Sequence, residues 1–368
     1  MFFCKCLQRK KTSGLFGTVR QIAGAVFVLL LPANSWDSQM QYENMELVTL
    51  RQIQEAQRCL LDSGLVIQTP LLKDSQAMFP GLGHLHLHLK LENMQTTGSF
   101  KIRGVINQLE SILHSGELNH KQLVTISAGN YGKAFAYYLQ KAGLVGTCIV
   151  PLTAAESNVL LLKDMGINVE QTPTWEMQAT LDHHILEEGD IFCHPFDDLQ
   201  LIAGFGTCAL EVLDAGIEPD VVLVSCGSGG LVAGVAAALQ LVSRKPVLVY
   251  AVEPEGSNTM WESMRVRHAV TKPSVQSVAS ALSPPCTGKL CYAHCKRYVE
   301  DVILVSDKEI IDCMKILLDR GIKAEPSGCA ALAAILNHRV PDVEGKDVLV
   351  LISGGNISVE ELHFLIPK

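Results

Sequence analysis

Apolar and polar residues follow two different periods along the chain. Leucines fill every second position of 84–91, which predicts a strand with one apolar face, whereas 47–61 carries apolar residues at helical spacing. Further short apolar runs predict strands at 123–126, 146–150, 168–171, 190–194, 221–225, 247–252, 301–305 and 347–351. Helical patterns lie between them, at 101–115, up to 142, at 156–165, 175–188, 204–215, 231–241, 307–319 and 327–337.

Alternating strands and helices predict an α/β fold with parallel sheets flanked by helices. Right-handed crossovers then bring the loops that follow the strands to one edge of each sheet, where small ligands bind. On the 84–91 strand, His84, His86 and His88 share the face opposite the leucines, with no carboxylate or cysteine between them. We therefore expect a solvent-facing strand surface there and not a metal site.

Composition places the chain among soluble globular proteins. Its 368 residues suffice for two domains or one large α/β domain, and it is 48% hydrophobic and 18% charged. A net charge of -8 argues against nucleic acid as the main partner. The 12 cysteines lack a framework spacing, and Cys286, Cys291 and Cys295 lack a fourth zinc ligand, so we expect reduced thiols in an intracellular compartment.

The first 44 residues form a basic and apolar leader that we place outside the fold. No acidic residue precedes Asp37, and the apolar run at 22–31 is too short to span a bilayer, so we expect no stable membrane span. The leader resembles a secretory signal or a mitochondrial one, or translation begins at Met40 or Met45. The free thiols weigh against secretion. We expect a cytoplasmic protein, or a mitochondrial one if the leader is translated and used.

Lys101 is the first candidate for chemistry. It follows Gly98, which allows a sharp turn, and Ser99, which we predict to be the N-cap of the helix at 101–115. The helix dipole and apolar neighbours would both disfavour an ammonium in the first helical turn. A lysine with a lowered pKa is a nucleophile that forms Schiff bases, although a surface lysine at a helix start would look the same in isolation.

A glycine-rich loop supplies a second candidate site. Cys226–Leu231 follows a predicted buried strand and opens a helix, where backbone N–H groups bind phosphate. The loop lacks the spacing of a nucleoside-triphosphate loop and of a dinucleotide fingerprint, so a single phosphate fits better. A Schiff-base lysine and a monophosphate loop together suggest pyridoxal phosphate. Asn130 is placed to bond the ring hydroxyl and Ser353 the ring nitrogen, the alternative for each being a turn residue.

The chain resembles the fold-type II pyridoxal-phosphate enzymes, specifically the serine/threonine dehydratase and serine racemase group. The resemblance covers roughly 69–358 and rests on six motifs in order, at 98–104 (GSFKIRG), 127–130 (SAGN), 194–198 (HPFDD), 227–230 (GSGG), 325–328 (EPSG) and 353–356 (SGGN). It implies a tryptophan synthase β-like fold and a homodimer. The large cofactor-binding domain would comprise 45–120 and 199–368, and a small mobile domain 121–198.

The resemblance also implies a role for each matching residue. Lys101 would hold the cofactor as a Schiff base and move the Cα proton of the substrate, while Phe100 would pack against the cofactor ring. Asn130 would bind the ring hydroxyl and Ser353 the pyridine nitrogen. The phosphate would be held by Gly227, Ser228, Gly229, Gly230 and Leu231. The substrate carboxylate would be bound by the loop of Ser127, Ala128, Gly129 and Asn130.

These residue types favour β-elimination. An alcohol such as Ser353 does not protonate the pyridine nitrogen, so members of this group expel a β-hydroxyl and yield a 2-oxo acid and ammonia from L-serine or L-threonine. Ala128 occupies the position where racemases of the group carry an acid/base serine, which disfavours racemisation. Tyr131 replaces the histidine or small residue that is common after Asn130 in this group. The segment 277–282 resembles liver-type serine dehydratases and lacks the Ala-Asp-Gly of racemases and many threonine dehydratases. The alternatives are a serine racemase and a catalytically silent cofactor-binding protein.

A cation site is implied by resemblance alone. Glu253 and Ser257 match residues that bind a cation near the cofactor, but Thr259 replaces the aspartate ligand of the racemases. The resemblance therefore favours a monovalent ion over a divalent one.

No pattern for a C-terminal regulatory domain follows residue 356, so we expect an enzyme without one.

Overall fold

The computed structural model describes Tyr42 and residues 45–367. The predicted leader therefore lies outside the described residues, except for Tyr42, whose ring meets that of Tyr292 edge-on with centroids 4.8 Å apart. Among the helices of the described chain, none combines the length and apolarity needed to cross a bilayer.

The described chain alternates between strands and helices. The strands are β1 (Leu71–Leu72), β2 (His86–Lys90), β3 (Leu123–Ile126), β4 (Gly146–Pro151), β5 (Asn168–Thr172), β6 (Ile191–Phe192), β7 (Val221–Ser225), β8 (Leu248–Pro254), β9 (Asp301–Val305) and β10 (Asp347–Leu351). The helices are α1 (Leu50–Ser63), α2 (Lys101–Ser115), α3 (Asn130–Ala142), α4 (Glu156–Asp164), α5 (Met177–His183), α6 (Leu199–Asp214), α7 (Gly230–Val242), α8 (Thr259–Val266), α9 (Lys289–Tyr298), α10 (Asp307–Leu318), α11 (Pro326–Leu336) and α12 (Val359–Leu365).

These strands form two sheets. The larger has the order β1-β2-β10-β7-β8-β9, and only β1 pairs antiparallel. The smaller has the order β5-β4-β3-β6 and is parallel throughout. The predicted α/β fold with parallel sheets is confirmed. The smaller sheet is built from residues between β2 and β7, so its chain segment interrupts the larger one.

Helices α2 and α6 approach each other closely at two glycines. A Cβ atom on Gly204 would lie 2.6 Å from the Arg103 carbonyl oxygen, and one on Gly104 would lie 2.4 Å from the Phe205 ring. Helix α6 begins at Leu199, earlier than predicted, because the side chain of Asp198 accepts a hydrogen bond from the Leu201 N–H at 2.8 Å. The glycines of this helix serve close packing and do not mark its start.

Strand β2 confirms one prediction and corrects another. The four leucines at 85–91 are buried, as expected for the apolar face. A solvent-facing histidine face is wrong for His88, which is 2% exposed and has its Nε2 3.2 Å from Asp347 Oδ1. Lys90 on the same face is also buried and bonds Glu211 of α6 at 2.5 Å. This face is therefore covered at His88 and Lys90, whereas His84 and His86 remain exposed.

The cysteines behave as predicted for reduced thiols. Ten lie in the described chain, all are free, and all but Cys59 are buried. Burial raises the pKa of the Cys286 thiol to about 12, so it stays protonated and unreactive.

The single helix predicted at 175–188 is wrong. That segment is split into a short 3₁₀ turn, α5 and a π-helical turn at His184–Glu188.

Candidate active site

Four loops from both sheets surround one cavity of about 860 Å³. Its walls include the start of α2, the loop after β3, the loop after β7 and the loop after β10. Three of these loops follow parallel strands, the edge at which α/β proteins bind small ligands. The fold therefore brings together residues that are more than 200 positions apart in the chain.

Lys101 lies in this cavity as the first residue of α2. Its Nζ atom donates a hydrogen bond to the Pro195 carbonyl oxygen at 3.3 Å and lies 5.1 Å and 5.4 Å from the ring centroids of Phe100 and Phe205. Burial disfavours the charged form and lowers the pKa of Lys101 to about 8, as the sequence predicted in direction. The amine is therefore far more nucleophilic near neutral pH than that of a surface lysine.

The predicted N-cap of this helix is wrong. Ser99 does not cap α2, and its buried hydroxyl has no hydrogen-bond partner, since Phe100 holds the cap position without a side-chain bond. The chain here is fixed by tertiary contacts instead, because Ser99 bridges Gly354 and the Phe100 N–H donates to the Ser353 carbonyl at 3.1 Å. The loop after β10 thus positions the start of the lysine-bearing helix.

A chain of hydrogen bonds holds the Asn130 side chain. Its Nδ2 donates to Glu325 Oε1 at 2.6 Å, and its Oδ1 accepts from Asn356 Nδ2 at 2.7 Å. Asn356 Oδ1 in turn accepts from Lys133 Nζ at 2.7 Å. Gly98 makes room for this amide, because a Cβ atom there would lie 2.3 Å from Asn356 Oδ1. The amide of Asn130 is thereby fixed in one orientation at the cavity wall.

The two ends of this chain of bonds carry ionisable groups. Burial raises the pKa of Glu325 to about 7, and burial also lowers the pKa of Lys133. Lys133 and Asn130 belong to α3, which follows a strand of the smaller sheet, whereas Glu325 and Asn356 flank elements of the larger sheet. The bonds therefore connect the two sheets across the cavity.

The glycine-rich loop has the geometry of a phosphate site. It runs from β7 into the N-terminus of α7, where the helix dipole and free N–H groups favour an anion. Gly229 has φ +104°, and a Cβ atom on it would lie 2.5 Å from Met260 Cε and 3.0 Å from Cys291 Cβ. A Cβ atom on Gly230 would lie 3.2 Å from the Phe196 carbonyl oxygen. Gly229 is thus required by its backbone conformation and by close packing against neighbouring protein atoms, and little room is left for a side chain at Gly230.

All of the predicted cofactor residues line the cavity, which contains Phe100, Lys101, Asn130, Gly227, Ser228, Gly229, Gly230, Leu231 and Ser353. Ser353 Oγ is 3.5 Å from the Ser327 carbonyl oxygen, and its side chain is buried. An amine, an anion-binding helix start, an oriented amide and a buried alcohol match the four polar ends of pyridoxal phosphate. The residues present therefore fit this cofactor.

The predicted substrate loop also lines the cavity through Ser127, Ala128, Gly129 and Asn130. The hydroxyl of Ser127 accepts hydrogen bonds from the N–H groups of Gly129 at 3.3 Å and Gly132 at 3.1 Å, which shapes the start of α3. Tyr131 directs its hydroxyl away, donating to Gln108 Oε1 at 2.5 Å. Ala128 offers no proton donor or acceptor side chain.

The residues of the predicted cation site have protein partners. The carboxylate of Glu253 is fully buried and accepts from the N–H groups of Met260 and Trp261, both at 2.8 Å. Ser257 Oγ donates to the Leu282 carbonyl oxygen at 2.9 Å. Burial raises the pKa of Glu253 to about 8, which favours the neutral acid. The cation site stays a prediction.

Sequence reasoning missed four residues that shape the site. Glu325 and Asn356 stand within recognised motifs, yet their bonds to Asn130 depend on how the two sheets meet. Lys133 lies about one turn after Asn130 on α3, a spacing that places both on one helix face. Phe205, which meets the Phe100 ring edge-on with centroids 4.8 Å apart, gave no sequence signal.

Comparison with known proteins agrees with this geometry. The family model described as pyridoxal-phosphate dependent enzyme matches residues 63–354. The L-threonine ammonia-lyase of Thermotoga maritima is 32% identical, covering 88% of this chain and 79% of that protein. The catabolic L-threonine dehydratase of Staphylococcus aureus is 32% identical, covering 88% and 93%. The structure of maize serine racemase matches with a TM-score of 0.78 at 28% identity, covering 86% and 96%. The chain belongs to the pyridoxal-phosphate-dependent enzymes and has their fold-type II architecture.

Proposed function

We propose that this enzyme dehydrates and deaminates L-serine and L-threonine to a 2-oxo acid and ammonia. The observation that carries the proposal is one cavity that joins the Lys101 amine to a substrate loop whose second residue is Ala128. The relatives named as threonine ammonia-lyase and threonine dehydratase support the same reaction.

We expect some residues of the site to bind the cofactor and Lys101 to transfer the Cα proton of the substrate. When bound, pyridoxal phosphate withdraws electrons from the amino acid's Cα and so makes its proton removable. Lys101, with its lowered pKa, would take that proton on Nζ and pass it to the departing hydroxyl. Asn130 is held in one orientation by Glu325 and Asn356 and would bond the ring hydroxyl. Ser353 would offer the ring nitrogen an alcohol, which is too weak an acid to protonate it.

The reaction balances without an oxidant or reductant. The Cα–H and Cβ–O bonds break, the proton and the hydroxyl leave as water, and a Cα–Cβ double bond forms. The unsaturated amine shifts to an imine, and water then displaces ammonia from it. Serine thus gives pyruvate and threonine gives 2-oxobutanoate, with one water lost and one gained.

The direct test is a keto-acid assay on the purified holoenzyme with both substrates. Lys101→Ala should lower the rate by at least about 10²-fold, the least expected when a general acid–base group is lost. Lys163→Ala, an exposed lysine of α4, is the matched control and should leave the rate unchanged. Borohydride should fix the cofactor to Lys101 in the parent protein. If neither serine nor threonine gives a keto acid, the proposal is wrong.

Serine racemisation is the second candidate, because the maize serine racemase structure is similar over most of both chains. Chiral analysis of serine after incubation separates the two reactions. We expect no D-serine from the parent enzyme, because Ala128 cannot carry a proton. Ala128→Ser should gain racemisation, whereas Ala128→Gly should not. D-serine from the parent protein would favour the racemase, and a cofactor-loaded protein inactive on a wide amino-acid panel would indicate a silent binding protein.

Four further expectations from the sequence remain proposals. We expect a homodimer, which sedimentation of the holoenzyme tests, and a small domain at 121–198 that moves on substrate binding, which hydrogen exchange tests. We expect cytoplasmic localisation, or mitochondrial localisation if residues 1–44 act as a leader. Fluorescent fusions with and without the leader distinguish the two.

A monovalent cation at Glu253 and Ser257 should make activity depend on K⁺ or Na⁺, and Glu253→Gln should remove that dependence.

A further inference from the structure

A second cluster of ligand-type side chains lies in the smaller sheet, apart from the cofactor cavity. His184 Nδ1 lies 2.9 Å from Asp190 Oδ2 and 3.0 Å from Glu188 Oε2. The side chains of His184 and Asp190 are 10% and 5% exposed, whereas that of Glu188 is 45% exposed. Among the described residues, this is the group of three whose nitrogen and oxygen ligand atoms all lie within 4.8 Å of one another.

The spacing of these atoms suits the coordination shell of a metal ion. Bonds of about 2.1 Å place neighbouring ligands of a six-coordinate ion about 3.0 Å apart. His184 Nδ1 has this separation from both carboxylate oxygens. One imidazole nitrogen and two carboxylate oxygens are ligand types that divalent transition metals accept. Glu188 is exposed enough to give an ion a route from solvent.

The opposite ring nitrogen supplies an independent observation. His184 Nε2 lies 3.0 Å from Glu170 Oε2, on strand β5. Metal-binding histidines almost always donate their second N–H to a carboxylate or carbonyl, which fixes the tautomer and leaves the other nitrogen's lone pair for the metal. With the proton on Nε2, the lone pair of Nδ1 points at two carboxylates, and either a second proton or a bound cation would make that arrangement attractive.

The charges around the imidazole lead to the same conclusion. Three carboxylates, Glu170, Glu188 and Asp190, surround one His184 ring, and His183 adds a contact of 3.5 Å to Glu188 from the exposed side. Even a protonated His184 balances only one of the three negative charges. The local backbone is also unusual, since His184–Glu188 forms a π-helical turn, a distortion that is frequent at functional sites.

We propose that His184 Nδ1, Glu188 and Asp190 bind one divalent transition-metal ion, with Glu170 orienting the imidazole. The remaining coordination positions would be filled by water. The site belongs to the smaller sheet, where it connects strand β5, the π-helical turn and the residue before β6. Metal binding would therefore stabilise this part of the fold.

Titration of the metal-stripped holoenzyme with Co²⁺ tests the proposal, using the visible cobalt spectrum after subtraction of the cofactor bands and calorimetry for stoichiometry. The parent protein should bind one more ion than Glu188→Gln, which keeps every thiol and the Glu253 region intact. Glu170→Gln should retain the stoichiometry but weaken binding by about 10–100-fold, the usual cost of losing an outer partner. Thermal unfolding should shift upwards with Co²⁺ in the parent and Glu170→Gln proteins but not in Glu188→Gln.

A matched surface pair serves as the control. His114 lies at the exposed C-terminal end of α2, 3.8 Å from Glu110, so His114→Gln removes an unrelated histidine–carboxylate pair and should leave Co²⁺ binding unchanged. Because His184→Gln risks misfolding, the conclusion depends on Glu188→Gln, whose cofactor absorbance and circular dichroism report correct folding. Equal Co²⁺ stoichiometry and equal cobalt spectra in the parent and a folded Glu188→Gln protein would overturn the proposal. The cluster would then be a protonated His184 paired with the surrounding carboxylates.

Discussion

At the scale of single residues, Lys101 gains its reactivity from its surroundings. The sequence predicted its position at a helix start and the direction of its pKa shift. Burial is the cause of that shift, and the aromatic rings of Phe100 and Phe205 form the apolar wall around the amine. Only part of this wall was visible in sequence, because Phe205 reaches the site from α6.

The lowered pKa predicts how fast the apoenzyme captures its cofactor. Only the neutral amine attacks an aldehyde, and the pKa of Lys101 lies at about 8 instead of 10.5. The capture rate should therefore rise about tenfold per pH unit below pH 8 and level off above it. Stopped-flow absorbance of apoenzyme mixed with pyridoxal phosphate measures this rate. A rate still rising tenfold per unit between pH 9 and 10 would contradict the lowered pKa.

Asn356 should contribute to cofactor binding without touching the reacting atoms. Asn356→Ala removes the donor to Asn130 and the acceptor of Lys133, so the Asn130 amide loses one of two partners that orient it. We expect cofactor affinity to fall about tenfold, the effect of one lost hydrogen bond between buried groups. Fluorescence titration of the apoenzyme measures it. Asn337→Ala is the control, because Asn337 bonds only its own helix end at Ala333.

At the scale of elements, strand ends were the most predictable features. Strands β9 and β10 have the predicted bounds, because short apolar runs between polar residues leave little choice of where a strand begins and ends. Helix ends were less predictable where tertiary contacts decided them. Ser99 is held by Gly354, and the Gly204 of α6 is required by packing against α2. Such contacts join distant segments, so no local pattern reveals them.

At the start of α7, adding a single methyl group to Gly229 should have a large effect on cofactor binding and on stability. Gly229→Ala would place Cβ 3.0 Å from Cys291 Cβ in a backbone conformation with φ +104°, which displaces the phosphate loop. We expect loss of cofactor binding together with a stability cost of about 1–3 kcal/mol. Absorbance of bound cofactor and unfolding of the apoenzyme by urea measure the two effects.

Gly143→Ala provides the matched control for that experiment. Gly143 also has positive φ, +67°, but nothing lies within 4 Å of its would-be Cβ atom. The Gly143→Ala variant should therefore show only the effect of backbone strain, a lower stability with full cofactor content. If Gly229→Ala also retains its cofactor, the loop does not bind phosphate by close backbone approach.

At the scale of the whole molecule, a buried group of charges joins the lysine-bearing helix to the larger sheet. Arg103 of α2 bonds Glu92 at 2.8 Å and Glu211 at 2.6 Å, and Lys90 bonds Glu211 as well. Burial alone would raise the pKa of Glu92, but the adjacent Arg103 lowers it overall. The stabilisation is therefore complete above the unfolded pKa of this carboxyl and is lost as pH falls through the lower folded value.

Arg103→Met should be among the most destabilising single changes. It leaves two carboxylates facing one lysine in a buried site, which costs about 3–5 kcal/mol when one partner of such a pair is removed. A lower urea midpoint of the apoenzyme measures the loss, and Arg103→Met combined with Glu92→Gln should recover part of it. Arg51→Met breaks an exposed ion pair with Glu55 and should leave the midpoint nearly unchanged. Equal effects of the two arginine changes would contradict this account.

The sheet order has a consequence for how the enzyme is made. Strand β10 comes last in the sequence but lies between β2 and β7 in the sheet, paired with both. During synthesis, domains generally fold as units from the N-terminus. Here the ribosome must deliver residue 351 before β2 meets its parallel neighbour, and Ser353–Asn356 must follow before the lysine helix is fixed at its start. The nascent chain therefore carries its nucleophile long before it can hold a cofactor.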